Sequence, residues 1–101
     1  MQIGKIIGTA VSTSKDEKLE GLRLQIVEYV KPDGKPTGAQ VVAVDSVGAG
    51  VGEVVLVASG SSARLTHISK DKPVDAIIMA IVDELESEGT SLYRKDSGFQ
   101  K

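Results

Sequence analysis

The chain has 101 residues, of which 41% are hydrophobic and only 3% aromatic, and 12 Lys and Arg stand against 14 Asp and Glu. This length fits one domain with one aliphatic core, and a formal net charge of −2 offers no basic surface of the kind that binds nucleic acid. The absence of cysteine excludes disulfides, thiolate metal sites and cysteine nucleophiles.

The first segment, Gln2 to Thr13, alternates in a way that predicts a strand. Gly4, Ile6, Gly8 and Ala10 share one face of it, and two glycines on one face favour a bend or a close backbone approach. Glycines and Lys5 interrupt the apolar stretch that a signal peptide needs. No run reaches the roughly 20 apolar residues of a membrane-spanning helix. We therefore expect a cytoplasmic protein with no membrane partner.

Three further strands are predicted in the first two thirds of the chain: Leu22–Val30 (with Leu22, Leu24, Ile26 and Val30 on one side), Ala39–Asp45 and Glu53–Ala58. The polar segment Ser14–Gly21 is predicted as a loop. The segment Lys31–Gly38 predicts a hairpin loop, because Pro32 presets a turn and Gly34 allows positive φ. Closely spaced strands with glycine-rich turns indicate a small barrel or sandwich.

The last third changes character after Asp71-Lys72-Pro73, a typical helix start. Helical spacing of aliphatic residues predicts a short helix from Pro73 to Met79, followed by a strand through Glu86. Ser91–Arg94 is predicted as a brief strand and Lys95–Lys101 as a loose polar tail. We expect one barrel domain over residues 1–90, with the short strand and tail over residues 91–101.

Val44–Glu53 is the most conspicuous segment, because glycines alternate through it at Gly48, Gly50 and Gly52. Phosphate-binding loops use such glycines at the start of a helix, where backbone amides meet the anion. Here the glycines precede a strand, and no Gly-Lys-Ser/Thr follows. A tight turn between strands is the favoured interpretation, and nucleotide binding is the alternative.

Ser59–Arg64 admits two interpretations. A serine there could act as a nucleophile with His67, the single histidine, and with Asp75 or Asp83 as the orienting carboxylate. The segment lacks the G-x-S-x-G context, so serines that bond local backbone are favoured. Arg64 carries a planar guanidinium suited to contacts across a subunit boundary.

Neither a metal site nor a nucleic-acid site is expected. One histidine and scattered carboxylates do not converge at ligand spacing, and an acidic cluster over residues 83–88 fits a solvated face. A small five-stranded barrel also suggests the oligonucleotide-binding fold, but those proteins stack bases on aromatic side chains along a basic groove. We expect no catalytic residue, no cofactor and no metal.

In chain order the segments resemble the bacterial microcompartment vertex family of the EutN/CcmL type. The resemblance covers about residues 2 to 85 and rests on the following motifs: Ile3-Gly4-Lys5-Ile6-Ile7-Gly8-Thr9-Ala10-Val11-Ser12-Thr13, Leu19 to Leu24, Val42-Ala43-Val44-Asp45-Ser46-Val47-Gly48-Ala49-Gly50 with Gly52-Glu53, Gly60-Ser61-Ser62-Ala63-Arg64, Pro73-Val74-Asp75-Ala76 and Ile81-Val82-Asp83.

The resemblance implies a mainly β, small, OB-like five-stranded β-barrel with one short helix, assembled as a pentameric ring. It implies a non-catalytic structural protein at the vertices of a microcompartment shell in the cytoplasm, beside hexameric shell proteins. We hypothesise that two loops lie at subunit boundaries or at the central pore. Their candidate interface or pore residues are Asp45, Gly48, Gly50, Gly52, Glu53, Ser61, Ser62 and Arg64.

Two other functions stay open at this point. One is an oligomeric barrel that binds a small ligand or a peptide, and the other is an unrecognised enzyme. Both predict a pocket with converging polar groups, whereas a shell subunit predicts self-association.

Overall fold

The computed structural model describes residues 1–11, 23–60 and 75–100. Within these ranges it contains no α-helix and eight strands: β1 Gln2–Ala10, β2 Leu24–Val30, β3 Pro36–Asp45, β4 Val54–Ser59, β5 Ala76–Ile81, β6 Glu84–Ser87, β7 Thr90–Arg94 and β8 Gly98–Phe99. The first five strands close into a barrel in the order β1-β2-β3-β5-β4, and the last three form a separate sheet. The mainly β, five-stranded barrel predicted from the sequence is therefore confirmed.

Gly4 of β1 makes room for a side chain of β2. It lies opposite Tyr29, and a Cβ added to it would lie 2.3 Å from Cγ1 of Val27. The glycine is required here because any side chain would displace Val27 from its position in the core.

A β-bulge after Ile6 changes which side chains of β1 face the core. The register with β2 shifts between Ile6 and Gly8, and Thr9 then lies opposite the buried Gln25. Directly paired residues share a face, so Thr9 lies on the side of Gln25, while Gly8 and Ala10 lie on the side of Ile26 and Leu24. The predicted common face of β1 therefore holds only as far as the bulge.

The side of β2 that faces the barrel interior is also not the one with the most aliphatic residues. Gln25, Val27 and Tyr29 are buried, whereas Leu24 and Ile26 are only half-buried on the outer side. The inner side includes a polar residue because the interior holds a hydrogen-bonding partner for it, as described below.

The helix predicted from Pro73 to Met79 is wrong where the structure describes it. Ala76–Ile81 is β5, which pairs antiparallel with β4 and parallel with the end of β3. Consecutive residues Ile77 and Ile78 are both fully buried, on opposite sides of the strand. A strand buried on both sides has a continuous apolar run that also satisfies helical spacing. Pro73 lies outside the described residues.

The main core fills the barrel and is aliphatic apart from Tyr29; its buried members are Ile6, Val27, Tyr29, Ala43, Ala49, Val55, Val57, Ala76 and Ile78. Val41 and Ile81 pack against it. Strand β3 begins three residues earlier than predicted, and the hairpin before it closes with Gly34 N–H donating to the Lys31 carbonyl at 2.8 Å.

The C-terminal sheet β6–β8 packs on the outside of the barrel, over β4. This second cluster consists of Val54, Val82 and Tyr93, with Ile3, Leu56, Leu85 and Phe99 around them. The rings of Tyr93 and Phe99 lie 4.8 Å apart at 51°. The segment predicted as a loose tail thus contains β8, whose Phe99 is held in this cluster. The predicted domain boundary at residue 90 stays a prediction.

Candidate functional site

The glycine-rich segment between β3 and β4 forms a loop that is anchored at its start by Asp45. The Asp45 side chain is buried, and its Oδ1 accepts hydrogen bonds from the backbone N–H groups of Val47 and Gly48, both at 2.9 Å. Gly48 has φ +77°, which a residue with a side chain rarely adopts. A carboxylate that bonds the backbone two and three residues ahead stabilises the turn.

Gln25 links this loop to the barrel interior. Its amide nitrogen donates to Asp45 Oδ2 at 3.2 Å and to the Ala49 carbonyl at 2.8 Å, and its amide oxygen accepts from the Thr9 hydroxyl at 3.0 Å. Arg23 approaches the same carboxylate from outside, with Nε 3.8 Å from Asp45 Oδ2. Burying a polar side chain is costly unless it is hydrogen-bonded, and here both the amide nitrogen and the amide oxygen of Gln25 have hydrogen-bond partners.

Gln25 was missed by sequence reasoning. A signal was present, because a lone amide interrupts a run of apolar residues on the strand that precedes the one ending at Asp45. Their meeting depends on the barrel register, which pairs Gln25 with Ala43 and Thr9.

The second half of the loop is a tight turn over Gly50–Glu53. Glu53 N–H donates to the Gly50 carbonyl at 3.1 Å, and Gly50 N–H donates back to Glu53 Oε1 at 2.7 Å. Gly52, the third residue, has φ +93°, as a type II turn requires at that position. Val51 at the tip is 65% exposed. The predicted tight turn between strands is therefore what these glycines form.

Glu53 also connects the loop with both sheets. Gly52 N–H donates to the Ile6 carbonyl at 2.8 Å, and Ile6 N–H donates to the Glu53 carbonyl at 3.0 Å, so the loop continues the pairing with β1. The other carboxylate oxygen of Glu53 lies 3.4 Å from Lys95 Nζ, beside the C-terminal sheet. The loop is therefore stabilised by hydrogen bonds within its own turn, by pairing with β1 and by an ion pair with the C-terminal sheet.

The structure brings five of the eight predicted interface or pore residues into this one loop: Asp45, Gly48, Gly50, Gly52 and Glu53. The other three, Ser61, Ser62 and Arg64, lie outside the described residues, as does His67 of the serine hypothesis. Whether any of them contacts another subunit or lines a pore stays a prediction.

The chemistry of this site is that of a structural turn. In the described part of the chain, every buried side-chain nitrogen and oxygen has a hydrogen-bond partner. Within the same residues no three His, Asp or Glu side chains lie close enough to hold a metal ion. Burial raises the pKa of the Tyr29 phenol above its ordinary value. No helix in the described ranges has the length and apolar character needed to cross a bilayer.

The closed five-stranded barrel and its hydrogen-bonded interstrand loop define the chain as a small β-barrel protein. Comparisons with known proteins identify its family. Residues 1–83 match the model of a family described as ethanolamine utilisation protein EutN/carboxysome. The carboxysome shell vertex protein CcmL of Synechocystis is 44% identical over 95 residues, covering 94% of this chain and 95% of that protein. The shell vertex protein EutN of Escherichia coli is 42% identical, covering 94% and 100%.

Solved structures agree with this result. CcmL of Gloeobacter violaceus superposes with a TM-score of 0.90 at 37% identity, covering 96% of this chain and all of that one. A pentameric microcompartment shell protein, GrpN of Rhodospirillum rubrum, has a TM-score of 0.77 at 47% identity, covering 86% of this chain and 99% of that one. The chain therefore belongs to the EutN/CcmL family. This is a family of structural shell proteins, so the chain is a structural protein and not an enzyme.

Proposed function

We propose that five copies of this chain form a closed ring that occupies a vertex of a bacterial microcompartment shell. The observation that carries the proposal is the similarity, in sequence and in fold, to proteins named as shell vertex proteins and to a shell protein solved as a pentamer. This similarity favours a shell subunit over a ligand-binding barrel or an unrecognised enzyme.

A closed ring requires only one kind of contact between copies of the chain. A contact between two different surfaces of the same subunit makes a ring when its rotation closes, and five-fold symmetry then selects the site that the ring can fill. A corner in a sheet of hexagonal tiles requires a tile with fewer sides. We accordingly propose hexameric shell proteins as the neighbours of this ring and the microcompartment shell as its location.

The Ser46–Glu53 loop is proposed to lie at a subunit boundary or beside the central axis. Hydrogen bonds to the Asp45 and Glu53 carboxylates fix its conformation. Its exposed surface includes Val47, Val51 and the backbone of its glycines. Small residues allow two backbones to approach closely. Arg64 is proposed for the same boundary on its sequence context alone.

Native mass spectrometry of the purified chain tests the proposal directly. We expect a species of five times the 10.6 kDa mass of one chain. A strict monomer at every concentration would overturn the ring. Co-expression with hexameric shell proteins should then give closed polyhedral particles, while omission of this chain should leave open or elongated ones.

The placement of the loop is tested separately by Val51→Lys and Arg64→Ala. Val51 is exposed in the subunit, so a lysine there leaves the fold intact and should reduce the five-subunit species if the loop lies at a boundary. An unchanged ring mass for both variants would exclude these two side chains from the subunit contact.

A further inference from the structure

A series of backbone hydrogen bonds leads from the barrel to Lys95 at the end of β7. Val82 N–H donates to the Val54 carbonyl at 2.8 Å. Lys95 N–H then donates to the carbonyl of the next residue, Asp83, at 2.9 Å. Val54 is the first residue of β4 and directly follows Glu53, the last residue of the interstrand loop. The backbone of Lys95 is therefore held in place beside the end of this loop.

The Glu53 carboxylate is shared between the loop and the C-terminal sheet. Its Oε1 accepts a hydrogen bond from Gly50 N–H at 2.7 Å, and its Oε2 lies 3.4 Å from Lys95 Nζ. The Glu53 side chain is 27% exposed, so solvent and salt screen this ion pair only in part. Because each oxygen has its own partner, a displacement of Lys95 turns the carboxylate and weakens its bond to Gly50.

The sheet that carries Lys95 is anchored independently of the loop. Tyr93, two residues earlier, is buried in the apolar cluster over β4, and its ring contacts that of Phe99. Arg94 makes a separate ion pair with Glu84, whose Oε2 lies 3.4 Å from its Nε. The residues that match the family model end at 83, before the first strand of this sheet. The loop is thus held from a part of the chain outside that match.

We infer that Lys95 is a positioning residue, through which the C-terminal sheet orders the Gly50–Glu53 turn. A partly exposed ion pair is a small share of the free energy of unfolding, but it is a large share of the local stability of a short turn. The consequence for assembly rests on the proposed function, in which this loop lies at a subunit boundary. A loop that is ordered before contact loses less conformational entropy when two copies meet.

Hydrogen exchange of the Gly50 amide tests the inference, at a protein concentration where native mass spectrometry finds the same oligomer for all variants. We expect Lys95→Met to speed this exchange by about two- to fivefold, the range that a partly exposed ion pair supports. Lys95→Arg retains the cation and should keep the wild-type rate. The Gly48 amide, which donates to Asp45, is the internal reference.

Salt provides a readout that a purely structural role of Lys95 would not change. Relative to the reference amide, raised salt should speed Gly50 exchange in the wild type and leave Lys95→Met unchanged, because only the wild type has an ion pair to screen. The same salt response in both proteins would contradict the inference.

Lys35→Met is the matched control. Lys35 also makes an exposed ion pair, with its Nζ 4.0 Å from Asp33 Oδ2, but it belongs to the hairpin between β2 and β3. The same lysine-to-methionine change there should leave the Gly50 rate as it is in the wild type. An equal rise in both variants, or no rise in Lys95→Met, would overturn the inference.

Ring formation provides the second measurement. If the loop lies at a subunit boundary, Lys95→Met should raise the protein concentration at which half of the five-subunit species dissociates, by a factor similar to that found for exchange. Lys35→Met and Lys95→Arg should leave this concentration unchanged. A wild-type chain that forms no ring would overturn the proposed function, whereas an unchanged Gly50 rate in Lys95→Met overturns the inference whether or not a ring forms.

Discussion

Two outer faces of the same barrel differ in how their aliphatic residues are covered. Over β4, Val54 and Leu56 are packed under the chain's own C-terminal sheet. Across β1, β2 and β3, the paired residues Ile26 and Val42 lie on the outside and lack such a cover in the described structure. Composition does not distinguish these faces. The difference is that the first face has a cover within the chain, which stabilises the subunit at any protein concentration.

The comparison is tested most strongly by Tyr93→Ala. Tyr93 is 4% exposed and lies at the centre of the contact between the C-terminal sheet and β4. Truncation of a buried aromatic side chain leaves a cavity, and we expect a loss of about 3–5 kcal/mol in the free energy of unfolding. Urea denaturation at a fixed protein concentration measures it.

The matched control is Arg94→Ala on the same strand. Arg94 points to solvent and pairs with Glu84 at 3.4 Å, an exposed ion pair whose loss costs at most about 1 kcal/mol. Equal losses in the two variants would mean that the C-terminal sheet is not bound to the barrel through its aromatic side chains.

Gly34→Ala tests whether the C-terminal sheet also packs against the hairpin between β2 and β3. Gly34 has φ +90°, and a Cβ added there would lie 2.6 Å from Cγ of the Phe99 ring. We expect a loss of about 1–3 kcal/mol, since a side chain at positive φ is strained and the ring must also move. The double variant with Phe99→Ala should lose less than the sum of the single variants. Strict additivity would show that Phe99 does not contact this hairpin.

Lys95→Met measures how much the ion pair at the edge of the C-terminal sheet contributes to the free energy of unfolding. The ion pair between Lys95 Nζ and Glu53 Oε2 is half-exposed, so we expect a change of about 0–1 kcal/mol that diminishes as salt is raised. A loss that does not respond to salt would contradict the ion pair as its cause, because methionine keeps the apolar stem of Lys95 and removes only the charge.

Val42→Ala should have the smallest effect on the subunit itself. At a dilution where the ring has dissociated, we expect the free energy of unfolding to change by no more than about 0.5 kcal/mol, because Val42 packs little within its own chain. A loss above about 1 kcal/mol would place Val42 in the subunit's own core and remove the contrast between the two faces.

Local chemistry decides the structure of the turns, and there the sequence was a sufficient guide. Pro32 and Gly34 predicted the hairpin, and the glycines around Val51 predicted the turn, because backbone conformation at these positions depends on the residue itself. The helix predicted over Ala76–Met79 is wrong, because an aliphatic run satisfies both periods and only pairing with β3 and β4 selects a strand.

The buried anchor of the loop could not be predicted for a related reason. Thr9, Gln25 and Asp45 are distant in the chain, and each looks like an ordinary polar residue at or near a strand end. Gln25 and Asp45 meet through the pairing of β2 with β3, and the bulge in β1 brings Thr9 opposite Gln25.

By itself the sequence determined a small aliphatic β domain with two well-defined glycine turns and a motif order that marks the EutN/CcmL family. These features follow from residue types and short spacings, which act locally. Only the tertiary structure decided which aliphatic residues point inward, which outer face the C-terminal sheet covers and which face is left exposed. Side-chain direction in a strand alternates, so one bulge reverses it for the residues that follow, and the side that faces the core is selected by pairing with strands distant in the chain.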